Sequence, residues 1–197
     1  MNAFLRRAAV LLSAPLAFGI GALAMASCSQ TPPPVPVRTF ERAQRMDVVC
    51  LKVFDIDPNN SNAIISIPPE PAPQNACAGV ATNVDGSGYL YHLYALVTQT
   101  TRGEVAVVDL TSNAVVDVDR SIPGINFLTV GNIPSDVASL PNGEMVFVGA
   151  GEANKYAIYG MAGRDLLGDS REVNPTPAKV PTLATWPSCA LPARPGA

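Results

Sequence analysis

The chain has one histidine, His92, and one tryptophan, Trp186. A lone histidine cannot assemble the several N and S ligands of a zinc site, and no cysteine pair has metal-ligand spacing, so no metal site is expected. Charge is scarce: Asp, Glu, Lys and Arg make up 15% of 197 residues, and no run of Lys or Arg occurs. Nucleic acid is therefore not an expected partner. Gly-rich phosphate loops and framed carboxylate pairs are missing too, and with them any expected cofactor. Long helix-period segments are few. Proline (19) and glycine (15) are abundant instead, which is the composition of a turn-dense, all-β domain.

The one long hydrophobic stretch is N-terminal. Residues 1–27 open with Arg6 and Arg7, continue as an apolar run over 8–24 and end in small residues before Cys28. That is the three-part pattern of a secretory signal peptide. Pro15, Gly19 and Gly21 interrupt the run and argue against a retained spanning helix, which needs about 20 apolar residues. Met25-Ala26-Ser27-Cys28 resembles the bacterial lipobox, which implies lipidation of Cys28 as the new N-terminus. Ala24-Met25-Ala26 offers the alternative of ordinary cleavage and a soluble periplasmic protein. Residues 28–44 begin with Pro32, Pro33, Pro34 and Pro36, an extended spacer suited to lifting a domain off a membrane. Each acyl chain contributes about 0.8 kcal/mol per buried CH₂, so several chains anchor stably. By resemblance to lipoproteins of double-membraned bacteria, Ser29 after the cysteine implies the outer membrane. The expected partners are the membrane, through the anchor, and a protein or cell-envelope ligand.

Without Arg6 and Arg7 the formal charge moves from −3 to −5, so anionic lipid surfaces are not expected to attract the domain. With Cys28 assigned to lipid, Cys50, Cys77 and Cys189 remain in an oxidising compartment, where pairing is the rule. Cys50 with Cys77 is the preferred bridge. It closes a loop of roughly 28 residues and stabilises by about 3.5 kcal/mol through chain entropy. Cys189 is left over.

The centre of the chain reads as strand, turn, strand, turn, strand: 91–99, 104–110 and 114–119, joined by Thr101-Arg102-Gly103 and Thr111-Ser112-Asn113. Before it, 46–54 is a β-branched buried strand, 55–62 an Asx-rich turn, 62–68 a brief strand and 68–74 a rigid Pro-rich loop. After it come strands at 136–140, 144–149, 156–161 and 165–168, with Asn142-Gly143 as the strongest hairpin signal. A shift of about 51 residues lays Leu96-Val97 on Phe147-Val148, Thr101–Gly103 on Glu152–Asn154, and Val105–Leu110 on Tyr156–Met161.

Gly131-Asn-Ile-Pro134, Pro141-Asn-Gly143 and Met145-Val-Phe-Val148, followed by Ala157-Ile-Tyr159, resemble the YVTN/YncE-type β-propeller repeat. Gly160 stands where that repeat has Asp. The resemblance covers 90–169 and implies antiparallel four-stranded-sheet blades of a partial β-propeller, preceded by a signal-peptide helix and a Pro-rich linker. The organisation expected is signal peptide 1–27, tether 28–44 and a propeller-like domain 45–197 of about three blades. Propellers need about four blades, so the chain reads as the front part of a longer propeller, or as a ring completed by an irregular N-terminal blade. The implied role is a binding or structural module. The alternative is a lactonase-like propeller enzyme, which places acidic residues and His at a central channel.

No catalytic residue is assigned. Gly168-Asp169-Ser170 matches the first block of the GDS-type serine esterases, but the base in that family follows the serine and His92 precedes it. The motif reads as a polar turn and His92 as a structural residue. Asp55-Ile-Asp57-Pro-Asn59 starts like a calcium loop but has Asn60 and Ser66 where Gly and Glu belong. Tyr89, Tyr91, Tyr94, Tyr156 and Tyr159 read as strand packing, and Asp109, Asp117 and Asp119 as turn-closing acceptors.

Overall fold

The computed structural model describes residues 40–78, 89–152, 155–168, 170 and 186–193. The first strand, β1 (Ala43–Asp57), turns at 58–59 into β2 (Asn60–Ala72). A single helical turn, α1 (Gln74–Ala78), follows. The meander is β3 (Tyr91–Gln99), β4 (Glu104–Asp109) and the short β5 (Ala114–Val115). Then come β6 (Leu128–Thr129), β7 (Asp136–Ser139), β8 (Met145–Glu152), β9 (Lys155–Ala162) and β10 (Ser188–Leu191).

These strands make two antiparallel sheets. The first is six-stranded, in the order β2-β1-β3-β4-β5 with β6 also on β4; the second is the four-stranded β10-β9-β8-β7. The second is a simple meander, each strand beside the next in sequence. In the first, β1 is inserted beside β3 as the neighbour that β7 provides for β8. Two sheets lie among the described residues, and no closed ring is formed among them.

Period-two alternation explains the packing. Val49, Leu51 and Val53 of β1 face inward with no exposure, as do Leu96 of β3 and Val105 and Val107 of β4. Val146 and Val148 of β8 and Met161 of β9 meet them from the second sheet in one core. On the opposite face of β1, Cys50 is equally buried, bonded to Cys77 of α1 with a Cα separation of 5.8 Å. Gln74 pins α1 further: its N–H donates to Pro141 O at 3.0 Å and its amide to Val48 O at 3.0 Å.

Several sequence expectations are revised. β2 continues through Pro68, Pro69 and Pro71 to Ala72, where a loop was expected. It is an edge strand, which needs only half its N–H groups, and the register slips between Lys52 and Phe54, opposite Pro68 and Pro69. The strand expected at 165–168 is a 3₁₀ turn over Gly163–Asp165 followed by a further turn. Leu166 and Leu167 explain why: both are buried, and a strand would point one of them to solvent. The third meander strand stops at Val115 because Asp117 turns to hold a loop. The two repeat hairpins also differ in length. Gln99 pairs with Glu104, closing around Thr100–Gly103, whereas Glu152 is still paired, with Lys155, where the first hairpin has its turn.

One polar contact ties the sheets. The Asp47 carboxylate of β1 accepts from the Ser139 N–H of β7, and the Ser139 hydroxyl lies 2.8 Å from both Asp47 Oδ2 and Val48 O. Close by, Gly143, at φ +74, packs where a Cβ would come within 2.9 Å of both Ala72 O and Cys50 O. The Asn142-Gly143 turn therefore lies directly against the β1–β2 backbone, an approach only glycine permits. Asp47→Ala removes the acceptor of the Ser139 N–H and one of the two acceptors within reach of its hydroxyl, and is expected to lower stability by about 2 kcal/mol, and Ser139→Ala by about 1. Urea midpoints check this; equal midpoints for wild type and Asp47→Ala would show that the contact contributes nothing.

Candidate functional site

The β3–β4 hairpin and the loop after it build a concave, chemically mixed feature. The hairpin register sets Tyr94 opposite Asp109, which makes His92 the diagonal neighbour of Asp109 on the same face. His92 Nδ1 lies 2.7 Å from Asp109 Oδ2, with the two side chains 12% and 10% exposed. Phe54 and Tyr94 flank the imidazole, with ring centroids at 5.5 and 6.2 Å. The other carboxylate oxygen, Oδ1, accepts from the N–H groups of Thr111 and Ser112 at 2.9 and 3.0 Å, and the Thr111 hydroxyl accepts from Leu93 N–H. Burial opposes ionisation of Asp109, but the hydrogen bonds from His92 and Ser112 outweigh it and hold its carboxyl below the ordinary carboxylate value.

Beyond β5 the chain makes a closed loop around one amide. The Asn126 side chain, 9% exposed, donates to Asp119 O at 2.8 Å and Ile122 O at 2.9 Å, and its N–H donates to Asp117 Oδ1 at 2.9 Å. Val118 N–H closes the base on Asn126 O at 3.0 Å. Two backbone carbonyls and a carboxylate thus take their donors from one residue, and the loop holds its shape without strand pairing.

Between hairpin and loop lies an open cleft of about 240 Å³. Tyr94, Val116 and Leu167 supply apolar lining, while Asp109, Asp117 and Arg120 supply charge. Arg120 also reaches Ser170, donating to its carbonyl at 3.3 Å. The space suits a side chain or a small polar molecule rather than a drug-sized ligand, which needs roughly 300–1,000 Å³.

The sequence-derived sites fall as follows. Cys28 lies outside the described residues. Cys50 and Cys77 are bonded to each other, and because Val49 rather than Cys50 faces Tyr94 across the sheet, the bridge is on the face opposite the cleft. Cys189 is free and exposed on β10. Ser170 lines the cleft together with Asp109, while His92 stands behind Asp109 and is not part of the lining. Asp55 and Asp57, the start of the calcium-like pattern, are engaged by Lys52 Nζ at 2.9 Å and by Asn59 N–H at 2.8 Å respectively. No group of three His, Cys, Asp or Glu side chains among the described residues is placed to hold a metal ion. Arg120 and Asn126 had no sequence signal: neither sits in a motif, and both act across a loop. The His92–Asp109 contact was in principle readable from the hairpin register.

No protein-family model, curated protein or solved structure matches the chain.

Asp109→Ala leaves His92 and two N–H groups without their acceptor and is expected to lower stability by about 2–3 kcal/mol. The pH dependence has a definite sign. The folded carboxyl ionises more readily than the unfolded one, so its contribution is complete above the ordinary value of about 3.9 and is lost as pH falls through the lower folded value. Urea unfolding of wild type and Asp109→Asn at pH 7 and pH 3 checks this: the wild type should lose more on acidification. An equal loss would remove Asp109 from the acid response.

Proposed function

We propose that this chain is a cell-envelope lipoprotein, anchored in the outer membrane through lipid on Cys28, whose β domain is a propeller-like binding module. In this reading residues 1–27 are removed, 28–44 are the tether, and the cleft between Tyr94, Asp109, Asp117 and Arg120 is the contact for a ligand of the envelope. The observation that carries it is the Cys50–Cys77 disulfide in a chain that opens with a signal-peptide pattern. Disulfides persist in oxidising compartments, so the bond and the leader point to the same address by independent chemistry. The four-stranded meander β7–β10 and the β3–β4 hairpin support a propeller-like construction, each being the strand–turn–strand unit of the repeat that the sequence resembles.

The binding role is preferred over the lactonase-like one because the cleft joins apolar lining to a few convergent polar groups. A lactonase-like enzyme would need several acidic and His side chains directed at one channel. His92, the single histidine, is already bonded to Asp109.

The test is an intact mass of protein extracted from membranes, in a Cys189→Ser background so that only Cys50 and Cys77 report on redox state. The expected mass is that of residues 28–197 plus acyl groups, rising by about two daltons on reduction, since a disulfide is a two-electron couple. Cys28→Ser should move the protein to the soluble fraction. An unlipidated mass beginning at Ser27 would sink the anchor and leave a soluble periplasmic protein.

A further inference from the structure

β10 is the outer strand of the second sheet, paired with β9 on one side and with no strand on the other among the described residues. Its residues Ser188, Cys189, Ala190 and Leu191 carry no charge, and Pro187 and Pro192 bracket them. The Pro187 carbonyl accepts from Gly160 N–H at 2.9 Å. Backbone groups alternate along a strand, so those of Pro187, Cys189 and Leu191 turn toward β9 and those of Ser188 and Ala190 turn outward, unpaired. Cys189 sits opposite Ile158, sharing a face with it and with Phe147; these two are 37% and 38% exposed, and the Cys189 thiol is free and exposed.

We propose that β10 pairs antiparallel with β10 of a second copy of this chain about a two-fold axis at Cys189, and that the two Cys189 residues form an intermolecular disulfide. One register satisfies every element of the edge. Ser188 lies opposite Ala190 of the other copy, so their outward N–H and C=O groups bond to each other. Cys189 meets its own counterpart at a non-hydrogen-bonded position, where Cα atoms are about 4.5 Å apart. A disulfide accepts Cα separations of roughly 4.4–6.8 Å. Pro187 falls opposite Leu191, where no N–H is required, and Pro192 ends the ladder by lacking one. A second copy is the fitting occupant because a two-fold contact sets each residue near itself, and this window has no charge to repel its counterpart.

The covalent step balances with a disulfide oxidant, either a thiol–disulfide oxidoreductase or a small disulfide such as oxidised glutathione. One Cys189 thiolate attacks the oxidant, forming a mixed disulfide and releasing one thiol. The second Cys189 thiolate displaces the remaining thiol and forms the S–S bond. Two electrons and two protons leave the protein and end on the oxidant's two thiols. In the cell this rests on the oxidising compartment proposed above; the edge geometry does not.

The experiment mixes the purified mature chain with oxidised glutathione and follows dimer formation by non-reducing electrophoresis and light scattering. Wild type is expected to reach twice its monomer mass and to return to monomer with dithiothreitol, and Cys189→Ser is expected to stay monomeric. Ala190→Pro keeps the thiol but removes one outward N–H from each copy, and should slow dimer formation about tenfold. Should Ala190→Pro fail to fold, Ala190→Lys, which sets like charges across the axis, replaces it with the same expectation. Cross-linking of a folded Ala190 variant at the wild-type rate would overturn the paired edge and leave only an accessible thiol. A wild type that stops at the glutathione adduct would overturn it too. A dimer in vitro with only monomer in thiol-blocked cell extracts would overturn the cellular bond and count against the compartment, not the geometry.

Discussion

Everything in this domain depends on the centre of β1, Val49–Leu51, being buried on both faces. A strand that faces solvent on one side needs only one partner layer, but the centre of β1 needs two. Its inward residues, Val49, Leu51 and Val53, meet the second sheet, and its outward residue Cys50 is sealed by α1 through the disulfide. Neither cover is held by apolar contact alone. Asp47 and Ser139 lock β7 to one end of the strand, and Gln74 and Gly143 bring the α1 and β7–β8 connections against its backbone. Such contacts pin register as well as adding energy, since a slip of one residue would put Val49 and Leu51 outside and turn Asp47 away from Ser139. The strongest constraint is therefore geometric, with burial as its driving force.

The cleft is a consequence of where that order stops. β4 ends at Asp109, whose carboxylate terminates the strand by accepting the next turn's N–H groups, and β5 lasts only two residues before Asp117 turns away. The chain then encloses Asn126 instead of pairing along β4, and β6 returns to fill the rest of that edge. Interrupting one strand leaves a gap on the sheet's flank, lined by the residues that replaced the missing ladder. That the gap carries Asp109, Asp117 and Arg120 reflects the same requirement: backbone groups released from a sheet need acceptors and donors from side chains.

Much of the fold was legible. β3 occupies 91–99 as its alternation indicates, and β1, β4, β7, β8 and β9 fall on runs where apolar residues recur every second position. Turn chemistry was readable at Thr111–Asn113 and at Asn142-Gly143, because those residues act on their own neighbours. Less of the candidate site could be read. Tyr94 and Asp109 belong to the meander, but Arg120 and Ser170 reach the cleft, and Asn126 shapes the loop beside it, through chain whose course no periodicity encodes. Prolines misled at β2, since a proline is excluded from a central strand and tolerated at an edge, and edge or centre is not a local property.

By itself, then, the sequence determined which segments are extended, where the turns fall and which two cysteines lie at a closable spacing, because these follow from alternation, from φ restrictions and from chain length. Only the tertiary structure decided that β1 lies between β2 and β3, that Leu166 and Leu167 enter the core from a turn, that His92 leans on Asp109, and that Cys189 sits, among the described residues, as a free thiol on the outer strand of a sheet. Strand order and edge status arise from contacts between residues far apart in the chain. Their free energies depend on what packs on both faces at once, which no window of neighbouring residues contains.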